Sequence, residues 1–219
     1  MGDRIRKALV ILLAASSVLT GCSKEIQGHA VAAAASEPAD DAACTKVDAP
    51  MTTIPPAAGT ADDSEPTLRV PQPHGWVRIT SMDSPLIRFL MRNPGLAVGN
   101  FAPSAAVTMD HLPGALDAKS FFDGEREGLV SSFGATDLQV TEGTLCGLPA
   151  ETVRYTAPQL GAVPPHPGTV VSAVITTHGK TYGAALTVQT TTPDNPTYQR
   201  DAEAILTGFQ VLRPASGRR

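Results

Sequence analysis

The stretch 169-TVVSAVITTHGKTYGAALTVQTT-191 decides the fold. Two runs rich in β-branched residues meet at Thr177-His178-Gly179-Lys180, where glycine supplies the positive φ that a tight hairpin turn needs. Working outward toward the N-terminus, "TDLQVTEGTL" and "AETVRYTA" read as two more strands around a turn at Cys146-Gly147-Leu148-Pro149. "SAAVTMDHL" (104–112) alternates: Ala105, Val107, Met109 and His111 share one side, and Ala106, Thr108 and Asp110 the other. "LIRFLMR" (86–92) is apolar enough for a strand, and "LRV" before Pro71 and "WVRIT" (76–80) read as short ones.

Two helices interrupt these strands. The first has Asp117 as N-cap, runs to Phe133, and stops at Gly134; Ala118, Phe122, Leu129 and Phe133 line one face, while Gly124 and Gly128 weaken it. The second has Asn195 as N-cap and Pro196 at its first position, where the missing N–H costs nothing. Tyr198, Ala202, Ile205, Leu206 and Phe209 follow at amphipathic spacing. The order is strands, helix, four strands, helix, short strand. Consecutive strands joined by tight turns predict an α+β fold, a mainly antiparallel sheet with two packed helices.

The N-terminal region has a different character. Arg4, Arg6 and Lys7 precede an apolar run at 8–19, which is shorter than the roughly 20 residues a spanning helix needs. Leu19-Thr20-Gly21-Cys22 resembles a bacterial lipobox, in which the cysteine sulfur receives a diacylglycerol and the peptide is cut before it. The expectation is a signal peptide over 1–21, an acylated Cys22, and a protein held on the extracytoplasmic face of a cell membrane by its lipid. An ordinary cleaved signal with a chance cysteine is the alternative. Residues 22–66, rich in Ala, Pro, Ser, Thr and Asp, read as a flexible tether. One domain is expected over 67–214, with a frayed tail at 215–219.

The chain carries a formal charge of −4, and removing the basic signal leaves the remainder more acidic. That argues against nucleic acid as a partner and against a polybasic hold on anionic lipid. Cys44 and Cys146 are the cysteines left after lipidation, in an oxidising compartment. A disulfide between them is the leading reading, with two free thiols or a metal site as alternatives. No C-x-x-C is present, and no histidine lies within a few residues of either.

The domain resembles the LpqN/LpqT-type mycobacterial lipoproteins with a PsbP-like α/β/α sandwich. "LRVPQPHGW", "AAVTMDHLPGALDAKSFF", "LCGLPAETVRYT", "YGAALTVQTTTPDN" and "DAEAILTGFQVL" carry the resemblance, in that order. The Pro-rich loop "PQLGAVPPHPG" (158–168) and Cys146 depart from the pattern. The resemblance implies an envelope location and an accessory or binding role, including the handling of mycolate glycolipids, and it brings no catalytic motif.

A search for chemistry finds no G-x-S-x-G, S-x-x-K, H-E-x-x-H, P-loop or G-x-G-x-x-G. The histidines at 29, 74, 111, 166 and 178 are scattered. His111, beside Asp110, reads as a strand-end residue making local hydrogen bonds, and Asp123-Gly124-Glu125-Arg126-Glu127 as a solvated helix face. We therefore expect no catalytic set, no metal and no cofactor. The expectation is a non-enzymatic binding or accessory module for an envelope lipid, glycolipid or transport protein. A host-facing protein-interaction module and a hydrolase with an unrecognised site are the alternatives. Long Gly/Pro loops on a rigid scaffold are where recognition concentrates. The expected ligand contacts are accordingly Trp76, Asn100, Phe101 and His166, with core packing as the competing role for Trp76.

Overall fold

A computed structural model of the chain describes residues 43–56 and 64–214. The expected signal peptide over 1–21, Cys22, His29 and the tail at 215–219 lie outside the described residues. Among the described residues the strands are β1 (Met51–Ile54), β2 (Thr67–Pro71), β3 (Val77–Arg78), β4 (Ile87–Arg92), β5 (Ser104–Pro113), β6 (Thr136–Leu145), β7 (Leu148–Ala157), β8 (His166–Thr177), β9 (Lys180–Gln189) and β10 (Gln210–Leu212). The α-helices among these residues are α1 (Ala118–Glu127) and α2 (Pro196–Thr207). Every strand pairing is antiparallel, as the hairpin pattern predicts. β3-β4-β5-β9-β8-β7-β6 form a seven-stranded sheet and β1-β2-β10 a three-stranded one.

The deciding hairpin is β8–β9. Its turn is the pair His178-Gly179, both at positive φ (49° and 73°), which matches the twist of the flanking strands. The β6–β7 turn is built the same way from Cys146 and Gly147, at φ 51° and 75°. This shortens the turn read from sequence: Leu148 and Pro149 already belong to β7, because a two-residue turn of this type needs only two positive-φ positions. β8 likewise begins at His166, so the preceding loop ends at Pro165.

Part of the segment read as a tether belongs to the fold. β1 pairs with β2 from Met51↔Pro71 to Ile54↔Leu68, and Ile54 is buried. Four residues are too short to show periodicity, so only the tertiary pairing reveals this strand.

The main core lies between one face of the large sheet and a layer made of α2 and the small sheet. Val107 and Met109 of β5, Leu186 and Val188 of β9, and Val171 and Ala173 of β8 meet Ile205, Phe209, Leu68 and Val211 there. The opposite face carries α1 and a smaller core of Ala135, Val153, Tyr155, Ala157 and Val170, with Leu129 and Phe133 packed on it. The first helix does run to Phe133 and stop at Gly134 (φ 83°), but its last part, Gly128–Phe133, is π-helical. Gly183 on β9 is what lets α1 approach: a Cβ there would lie 2.1 Å from the Phe121 ring.

Candidate functional site

Strand register sorts the loops into two ends. Ala157↔His166, Ser104↔Gln189 and Val77↔Arg92 place the loops 93–103, 158–165, 190–195 and 73–76 at one end of the large sheet. The turns Cys146-Gly147 and His178-Gly179 lie at the other. The ten residues of β7 separate these ends by about 30 Å.

Cys44 and Cys146 form a disulfide, S–S 2.03 Å, at the turn end, where both sulfurs are buried with Leu212. The chain arriving from the Leu19–Cys22 segment is thus stapled to the fold at the end opposite the loops. The pairing stated from sequence is the one the structure shows.

The loop end brings Phe101 and His166 together. Their rings lie 5.0 Å apart, with Phe101 partly exposed. His166 is 2 % exposed and held on both ring nitrogens, Nδ1 at 2.8 Å from the Pro164 carbonyl and Nε2 at 3.0 Å from Gln189 Oε1. It therefore acts as a post that fixes the loop. Asn100 is exposed beside Phe101. Asn93 is buried and accepts the Gly95 N–H at 3.0 Å, starting the 3-10 turn Pro94–Leu96. The backbone of Gly75 packs against the Asn93 side chain.

Trp76 itself is a core residue. It is 3 % exposed, and its indole N–H is spent on Asp201 of α2. Its loop sits at the expected end, but the ring faces the core beneath α2, which leaves it no open face for a ligand.

A second arrangement lies between α1 and the sheet. Glu125 lines a cavity of about 40 Å³ with Thr108, Asp110, His111 and Phe121. Burial pushes its carboxyl up to about 7, and the nearby Asp110 and Glu151 charges add to the shift. Glu125 was read as part of a solvated face. It lies three residues after Phe122 and four before Leu129, and that spacing is the sequence signal that puts it on the packed stripe. Asp123 does face solvent, paired with Lys119 at 2.7 Å and with Arg126. Arg126 also pairs with the buried Glu151. Desolvation raises the Glu151 carboxyl against the pull of Arg126. Those two residues border a more open groove of about 210 Å³ with Phe122 and Glu142.

Among the described residues, the remaining histidines do not assemble a site. His111 and Tyr182 rings lie 5.6 Å apart, and Asp110 accepts the backbone N–H of His111. His74 and His178 are exposed. Among the described residues, no group of three or more His, Cys, Asp or Glu is placed to hold a metal ion.

The layers define an α+β sandwich with an antiparallel sheet covered on both faces. No protein-family model matches the chain, and no curated protein matches it. Among solved structures the chain is similar to LpqN, described as involved in cell envelope biogenesis of Mycobacterium tuberculosis: TM-score 0.57 and 18% identity, covering 74% of this chain and 91% of LpqN. That likeness shows a shared fold. Weaker likenesses are to a Mog1 E65A mutant (TM-score 0.44, 12% identity, 75% of this chain and 97% of that one) and to the Saccharomyces cerevisiae Ran-binding protein Mog1p (0.42, 14%, 67% and 90%).

Proposed function

We propose that the protein is a lipid-tethered accessory module of the cell envelope that acts by binding, without catalysis, through its loop end. The partner is an envelope glycolipid or an envelope transport protein. The observation that carries this reading is the composition of that end. The loops 73–76, 93–103, 158–165 and 190–195 converge there with one formal charge among them, Asp194, in a chain that is 17% charged. They sit on a rigid sheet, fixed by His166 and Asn93, and they point away from the Cys44–Cys146 staple that leads toward the lipobox. The resemblance to LpqN, an envelope-biogenesis protein, supports the location.

The cavities described above are about 40 and 210 Å³, below the roughly 300–1,000 Å³ of small-molecule pockets. Neither cavity is lined by the loop end, and recognition in this reading is by surface contact, with Phe101 as the partly exposed aromatic and Asn100 and Gln159 as hydrogen-bonding groups. The test compares the wild type with Phe101→Ala by lipid co-purification and by in-cell crosslinking to envelope proteins. A loop-end aromatic that anchors a partner costs about 2 kcal/mol or more on truncation. The expected result is loss of the bound lipid or of the crosslinked partner from a variant that stays folded. Unchanged capture in both assays removes the loop end from the reading.

A further inference from the structure

We infer that β6 is a self-association edge, where a second copy of this chain adds its own β6 antiparallel to the first. Among the described residues β6 is the last strand of the large sheet and pairs with β7 alone. It is ten residues long, so its outer side presents a row of backbone N–H and C=O groups. Natural edges are usually blunted by lysine, proline or a bulge. Here the register shift lies between Thr136 and Gln139, with Asp137 at φ 57°, and leaves the rest of the strand regular. Beyond it, Glu142 is the lone charge in 138–145, and neither lysine nor proline occurs.

The side chains say what pairs there. Cross-strand neighbours Val170, Val153 and Val140 form one row across β8, β7 and β6. Val170 and Val153 are buried at 7% and 4%, whereas Val140, at the open end, is 44% exposed. A two-fold axis perpendicular to the sheet continues that row by setting Val140 against Val140 of the second copy. The same operation sets Gln139 opposite Thr141 and Leu138 opposite Glu142, so no like charges meet. Sliding the centre to Glu142 would bring two carboxylates face to face, which is destabilising. The strand is thus self-complementary in the Val140-centred register, as an isologous interface requires.

The test uses the full chain. Val140→Cys should crosslink to a dimer under mild oxidation on non-reducing gels, while Val98→Cys, at a site 56% exposed on a distant loop, should not. Wild type should sediment as a dimer at tens of micromolar, and Val140→Lys as a folded monomer by circular dichroism. Three results would overturn the inference: a monomeric wild type, equal crosslinking through both cysteines, or a dimer undisturbed by Val140→Lys.

Discussion

The indole nitrogen of Trp76 donates to Asp201 Oδ2 across 3.0 Å, joining the loop before β3 to α2 through a buried hydrogen bond. Both residues are 3 % exposed, and Arg200 holds the other carboxylate oxygen at 2.9 Å from the surface side. Removing the acceptor leaves a buried donor unsatisfied, which costs about 1–3 kcal/mol. Asp201→Ala should lower stability by that amount in chemical denaturation. Asp201→Asn, which keeps an acceptor oxygen, should lose less. Equal losses would mean that Arg200, and not Trp76, is the partner that matters.

Glu125 makes stability depend on pH. Its carboxyl titrates at about 7 in the fold, against the ordinary carboxylate value of 4.5 in the unfolded chain. Between these values the folded state binds more protons, so stability falls as pH rises from about 4.5 to 7 and stays low above. Glu125→Gln should remove that loss. It should stabilise the protein by about 1–2 kcal/mol at pH 8, after discounting for partial exposure, and change little near pH 4.5. Denaturation midpoints at the two pH values measure it, and a uniform shift would contradict the assignment.

The Cys44–Cys146 bond closes a loop with a sequence separation of 102. Replacing both cysteines by serine should cost about 2–5 kcal/mol while leaving the sheet intact. The local consequence should fall on β1, which is four residues long and pairs only with β2 among the described residues. Hydrogen exchange at Thr52–Ile54 should accelerate more than in β8 or β9. Uniform acceleration would mean that the bond supports the whole domain and not this arm.

The proposed membrane attachment through Cys22 rests on the Leu19-Thr20-Gly21-Cys22 pattern. Cys22→Ala should move the protein from the detergent phase to the aqueous phase or block its processing. Unchanged partitioning would refute the anchor.

Several features were legible in the linear order of residues because they depend on neighbours in the chain. The hairpin turn at His178-Gly179, the Asn195 cap with Pro196, and the alternation of β5 are local, and the α+β class with its antiparallel sheet follows from them. Phe101 and His166 could be placed on loops, but their 5.0 Å contact arises only when β5, β8 and β9 align in register. β1 was invisible because four residues carry no period, and its identity comes from the edge of β2 that it covers. Trp76 turned inward because α2 offers a carboxylate beneath it, and Glu125 became a titrating group because packing of its helix on the sheet buries it, with the Asp110 and Glu151 charges adding to the shift. Composition and spacing decide which elements form. Burial and pairing between distant segments decide which side chains meet, and they exist only once the layers are assembled.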